Sequence, residues 1–206
     1  YEYDIFISYR HNDNLSGWVT EFVRALQEEL AATIKEPLSI YFDTNPHDGL
    51  LETHNVDKSL ESKLKCQIFI PILSQTYCDP KSYAWQYELL PFNKLAKEDS
   101  HGMVIKLRNG NYAGRILPIQ IHDLEQEDIK LFEKETGSAL RSIELIFKTT
   151  SGVNRPLRAN EDHPTDNLNK TYFRDQVNKI ANAINEICRS LNPGQSKSVK
   201  DKTISI

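Results

Sequence analysis

The stretch Asp4-Ile5-Phe6-Ile7-Ser8-Tyr9-Arg10 constrains the fold more than any other part of the chain. Ile5, Phe6 and Ile7 form an apolar run that is short and rich in strand formers. It predicts a central strand covered on both faces. Ser8, Tyr9 and Arg10 follow without a break. A helical pattern comes next, with Trp18, Phe22, Val23, Leu26 and Leu30 on one face and Glu21, Glu28 and Glu29 between them; Ser16 is its expected N-cap. A buried strand followed by an amphipathic helix is the opening of a parallel α/β unit. In such sheets the ligand crevice lies beyond the carboxyl ends of the strands, so topology places Ser8, Tyr9 and Arg10 at that crevice.

The same alternation continues along the chain. Leu38 to Phe42 predicts a second strand ending on Asp43, Gln67 to Leu73 a third, Arg115 to Ile121 a fourth and Ser142 to Phe147 a fifth. Helical patterns separate them over 57–65, 82–97 and 125–135, and Phe173 to Leu191 carries the clearest apolar stripe. Pro91 lacks a backbone donor and disfavours helix at Leu90, so a kink or break is expected there. Met103 to Gly110 suggests a small hairpin or extended insertion, and 148–170 a long polar loop. The fold expected is α/β: a flavodoxin-like five-stranded parallel sheet, order 2-1-3-4-5, with helices on both faces.

Composition narrows the function classes. The 206 residues suit one domain, and the 39% apolar share is enough for one core. A net charge of −4 gives no reason to expect nucleic acid. Cys66, Cys78 and Cys188 are odd in number and far apart, which argues against a disulfide framework and fits a reducing, cytoplasmic setting. No apolar run approaches the ~20 residues that span a bilayer. The chain begins on Tyr1, and 192–202 reads as a linker followed by a strand-like Thr203-Ile204-Ser205-Ile206. The expected organisation is a domain over 1–191, then a linker and the start of a further region over 192–206.

Several chemistries are absent from the sequence. It has no Walker A loop and no GxGxxG, the histidines show no HExxH or zinc-finger spacing, and no two cysteines form a CxxC, so neither a bound cofactor nor a metal is expected. A receiver domain would need an aspartate ending the third strand, where this chain has Ser74. What remains is a carboxylate among aromatics, Tyr83, Trp85, Tyr87 and Glu88. Glu88 falls early in the helix after the third strand, near the crevice with Ser8 to Arg10 and Asp43. The bland alternative is a solvated glutamate favoured by the helix dipole. Arg10 reads either as a cation of that crevice or as a surface ion pair. Tyr9, Phe42 and Trp85 read either as aromatics that sandwich a ring or as core.

The segments DIFISYR, YFD at 41–43, QIFIPILS at 67–74, WQYEL at 85–89 and RILPIQI at 115–121, taken in order, resemble a TIR (Toll/interleukin-1 receptor/resistance) domain over roughly 1–191, of the bacterial NAD+-cleaving type. Some members of that family only assemble signalling complexes; others cleave NAD+ at the nicotinamide–ribose bond. The cleaving members carry a glutamate after a tryptophan in the helix following the third strand. Glu88 and Trp85 match, with two residues between them where the family commonly has three. The resemblance implies an NAD+ nucleosidase with Glu88 catalytic and Ser8, Tyr9, Arg10, Phe42, Asp43 and Trp85 around the substrate. It also implies a 43–55 loop that gates the site and mediates self-association, and a role in bacterial defence or stress signalling. A non-catalytic adaptor is the rival; a nucleoside deoxyribosyltransferase-like enzyme, which shares the topology and a glutamate, is a second.

One carboxylate is adequate for that reaction. Glycoside hydrolysis usually needs a second group to protonate the leaving oxygen. NAD+ already carries a cationic pyridinium, so nicotinamide departs neutral and one carboxylate that stabilises the developing oxocarbenium charge suffices.

Overall fold

In the computed structural model, which describes residues 1–43, 54–161 and 171–193 (of 54–58 the backbone alone), five strands lie parallel in one sheet. They are β1 (Tyr3–Ser8), β2 (Ile40–Tyr41), β3 (Cys66–Leu73), β6 (Ile119–Gln120) and β7 (Ile143–Glu144). Between β3 and β6 the chain makes an antiparallel hairpin, β4 (Val104–Lys106) with β5 (Tyr112–Gly114). After β7, β8 (Ile146–Lys148) pairs with β9 (Asn154–Pro156) in a second hairpin. The sheet order is β2-β1-β3-β6-β7. Counting only the strands of this sheet, that is 2-1-3-4-5, the flavodoxin-like arrangement.

Side-chain parity along β1 and β3 divides the core into two layers. Ile5 and Ile7 of β1, with Ile68, Ile70 and Ile72 of β3, face the helices α1 (Trp18–Thr33) and α5 (Tyr172–Leu191). Phe6, Phe69 and Leu73 point the other way, towards α2 (His54–Leu64), α3 (Leu90–Glu98) and α4 (Gln126–Thr136). On that second face Phe6 stacks on Phe69 and Phe69 on Phe92, with centroids 5.5 and 4.7 Å apart. The stripe read from the last helix is buried as expected, through Phe173, Val177, Ile180, Ile184 and Leu191.

Several local expectations are corrected. The N-cap of α1 is Gly17, in the left-handed region at φ 78°, not Ser16. Asn14 supplies the missing acceptor instead, its Oδ1 taking the Thr20 N–H at 3.1 Å. The fourth strand is interrupted by Pro118, which has no N–H to give. Regular structure is confined to Ile119–Gln120, while Leu117 N–H and Ile121 N–H still reach the carbonyls of Phe69 and Leu73. The fifth strand leaves the sheet after Glu144, and Ile146–Lys148 belongs to the second hairpin. That hairpin also organises part of the loop expected over 148–170.

Pro91 does not break its helix. Helical backbone runs from Ala84 to Glu98, and the disturbance takes the form of a π-helical turn over Ala84–Leu89 just ahead of the proline. Most of the 43–55 loop, and the tail from 194 onward, lie outside the described residues.

Candidate functional site

The connection from β1 to β2 and the one from β2 to β3 leave on opposite faces, so the topological switch point, the place at which sheets of this class bind ligands, lies beyond the ends of β1 and β3. Ser8 is the last residue of β1 and shares the parity of Phe6, so it faces the helical layer that includes the π-helical turn. Glu88 sits in that turn and is only 9% exposed. The two side chains meet: Ser8 Oγ donates to Glu88 Oε2 at 2.5 Å. A buried carboxylate is tolerable only with such partners. π-helical turns recur at functional positions, and this one carries the candidate carboxylate.

Ser8 has a second partner, the Tyr77 hydroxyl, 2.8 Å away and fully buried. Tyr77 is anchored at both ends of its own segment. Its N–H donates to Ser74 Oγ at 3.1 Å, and its carbonyl accepts from Ser82 Oγ at 3.1 Å. Ser82 Oγ in turn accepts the Trp85 N–H at 3.2 Å, which starts the helical segment. Burial pushes the Tyr77 phenol well above its ordinary range, so it remains a proton donor.

The other expected site residues are placed as follows. Tyr9 is buried, and its hydroxyl donates to the backbone carbonyl of Asp43, tying the end of β1 to the chain leaving β2. Phe42 is partly buried against the core layer of α1 and α5. Arg10 is half-buried, and its Nε has no hydrogen-bond partner among the described residues. Tyr41 joins the group on the Glu88 side: burial first, then the charges of Asp43 and Glu88, push its phenol far above the usual range.

Trp85 is the exception. It is 2% exposed and packs edge-on against Tyr77 and Phe132, with centroids 6.4 and 6.3 Å away, so the structure places it in the core behind the crevice.

The structure thus brings Ser8 to Glu88 and Tyr9 to Asp43, and adds Tyr77, which sequence reasoning missed. Its signal was present: a tyrosine three residues past Ser74, on the loop leading to the helix of Glu88. A second polar group crowns β1, β3 and β6. Ser74 Oγ donates to Asp13 Oδ2 at 2.6 Å, and Asp13 and His122 face each other electrostatically. Burial pushes the Asp13 carboxyl up and the His122 imidazole down. A cleft of about 490 Å³ beneath the β4–β5 hairpin, lined by Leu107, Tyr112, Phe132 and Ile187 among others, includes none of these residues. Among the described residues, no group of three or more His, Cys, Asp or Glu side chains is placed to hold a metal ion.

The chemistry available here is that of one oriented, water-shielded carboxylate beside a polar strand end, suited to stabilising positive charge on a bound ligand. In comparison with known proteins, no family model matches this chain and no curated protein is significantly similar to it.

Proposed function

We propose that this chain is a TIR domain that cleaves NAD+ at the nicotinamide–ribose bond, with Glu88 as the catalytic carboxylate. The observation that carries the reading is the 2.5 Å hydrogen bond from Ser8 to Glu88, at the switch point of a 2-1-3-4-5 sheet. In this reading the C1′–N bond breaks with its electron pair leaving on nicotinamide, which departs neutral. The ionised Glu88 stabilises the oxocarbenium-like ribose. Water then captures C1′ and loses a proton to give ADP-ribose, or the adenine of the same molecule captures it to give a cyclic product. Ser8, Tyr9, Arg10, Phe42 and Asp43 surround the substrate, and Trp85 supports the helical segment from behind.

Self-association through the 43–55 loop belongs to the same proposal, as does a cytoplasmic setting in bacterial defence or stress signalling. Three free, buried thiols and the intracellular substrate fit that setting. Among the described residues no helix is long and apolar enough to cross a membrane.

The test is to incubate concentrated protein with NAD+ and follow nicotinamide by chromatography, beside Glu88→Ala and Glu88→Gln. Release that rises with protein concentration and disappears in both variants is expected. Release that survives Glu88→Ala refutes the mechanism. A wild-type protein that is inert even when crowded favours the non-catalytic adaptor.

A further inference from the structure

We infer that Tyr77 is a positioning residue for Glu88, acting through the Ser8 hydroxyl; this rests on the reading of Glu88 as the catalytic carboxylate. An ionised carboxylate only accepts, so the single Ser8 hydrogen is committed to Glu88 Oε2 at 2.5 Å. The Ser8 oxygen must then accept, which makes Tyr77 the donor in the 2.8 Å contact. The chain has one direction: Tyr77 O–H to Ser8 Oγ, Ser8 O–H to Glu88. A hydroxyl that accepts a hydrogen bond becomes a stronger donor, so Tyr77 strengthens the Ser8–Glu88 bond without touching Glu88.

The surroundings leave the phenol little else to do. Tyr77 is 0% exposed, so it does not reach a bound ligand. Its main chain is pinned by Ser74 and Ser82, and its ring is braced by Trp85. A phenylalanine would fill the same apolar space. The hydroxyl is a buried polar group whose burial is favourable only with a partner, and Ser8 is that partner. Ser8, hydrogen-bonded to both Tyr77 and Glu88, is held in one rotamer, which fixes the carboxylate relative to the strand end.

A double-mutant cycle tests this. Tyr77→Phe is expected to lower kcat for nicotinamide release about three- to tenfold, the effect of one neutral hydrogen bond, with KM unchanged. In a Ser8→Ala background the same substitution is expected to lower kcat no further. An equal loss in both backgrounds would mean that Tyr77 acts independently of Ser8 and overturns the inference. A second readout does not need activity. Urea midpoints are expected to show coupling between Tyr77→Phe and Glu88→Gln that vanishes once Ser8 is alanine. Tyr77→Phe should lower the midpoint when Ser8 is present, and leave it unchanged or raise it when Ser8→Ala has stranded the phenol. Absence of that coupling overturns the inference, whereas an inert wild type overturns the assigned reaction and leaves the coupling to be read.

Discussion

Ser8 and Glu88 are 80 residues apart in the chain and share one hydrogen bond of 2.5 Å, with the serine giving and the carboxylate receiving. That bond joins the central strand to the π-helical turn. Hydrogen bonds to charged groups contribute about 1.5–3 kcal/mol. Under the proposed reaction, Ser8→Ala is therefore expected to reduce the rate of NAD+ cleavage by about ten- to a hundredfold, read as nicotinamide released per unit time. Ser8→Thr keeps the hydroxyl and should retain more of the rate than Ser8→Ala.

Trp85 separates a core role from a substrate role. Its side chain is nearly inaccessible and lodged between Tyr77 and Phe132. Trp85→Ala should destabilise the fold by about 3–5 kcal/mol, measured by denaturant unfolding. Trp85→Phe should cost far less and, under the proposed reaction, leave KM for NAD+ unchanged. A large KM increase with an unshifted unfolding midpoint would place the indole against the substrate instead.

Arg115 closes the opposite end of the sheet. Its guanidinium is 1% exposed, pairs with Asp99, and donates to the carbonyls of Cys66, Gln67 and Gly102. Arg115→Ala strands those acceptors and should lower stability by at least about 3 kcal/mol. Arg115→Lys should recover little of it, because a single ammonium cannot reproduce the fork. Burial alone would raise the Asp99 carboxyl, but hydrogen bonds from Arg115 and from the His101 N–H outweigh it and hold the group below 3.8. A depressed carboxyl stabilises above its unfolded value and loses that contribution as pH falls through the folded one. Asp99→Asn should therefore flatten the acid limb below about pH 4, followed by thermal unfolding across pH.

His122 acts with the opposite charge on the same sign rule. Burial, against the charge of Asp13, holds its imidazole below 6.5. Between the folded value and 6.5 the unfolded chain binds more protons, so stability rises with pH through that window and falls on acidification. His122→Asn should remove this slope near pH 6 while leaving the steeper carboxylate-driven loss at lower pH. Thermal midpoints at closely spaced pH values check it.

Much of the architecture was legible because periodicity reports burial directly. The apolar runs at Ile5–Ile7 and Ile68–Leu73 read as doubly covered strands, and the stripe from Phe173 to Leu191 as a packed helix, and all three are buried so. The meeting of Ser8 with Glu88 was half legible. Parity puts Ser8 on the Phe6 face, but which carboxylate it meets depends on where the later helix docks. Tyr77 was missed because it carries no periodic signal and lies in a turn. Trp85 was read towards the ligand because an aromatic beside an acidic residue looks alike in core and crevice. Its direction is set by the winding of 84–89, which local sequence does not report.

That winding sets the phase of the whole segment. Upstream, Trp85 is clamped by Tyr77 and Phe132; downstream, Phe92 and Ala96 are locked into the same core layer. The wider turn between them lets Glu88 keep its azimuth while both anchors stay seated. Deleting one residue there would force a choice, since each residue of an ordinary helix turns by about 100°. Either an anchor leaves its socket or the acid swings off the strand end. Variation in length should therefore be tolerated in the β4–β5 hairpin long before it is tolerated between Ala84 and Leu89.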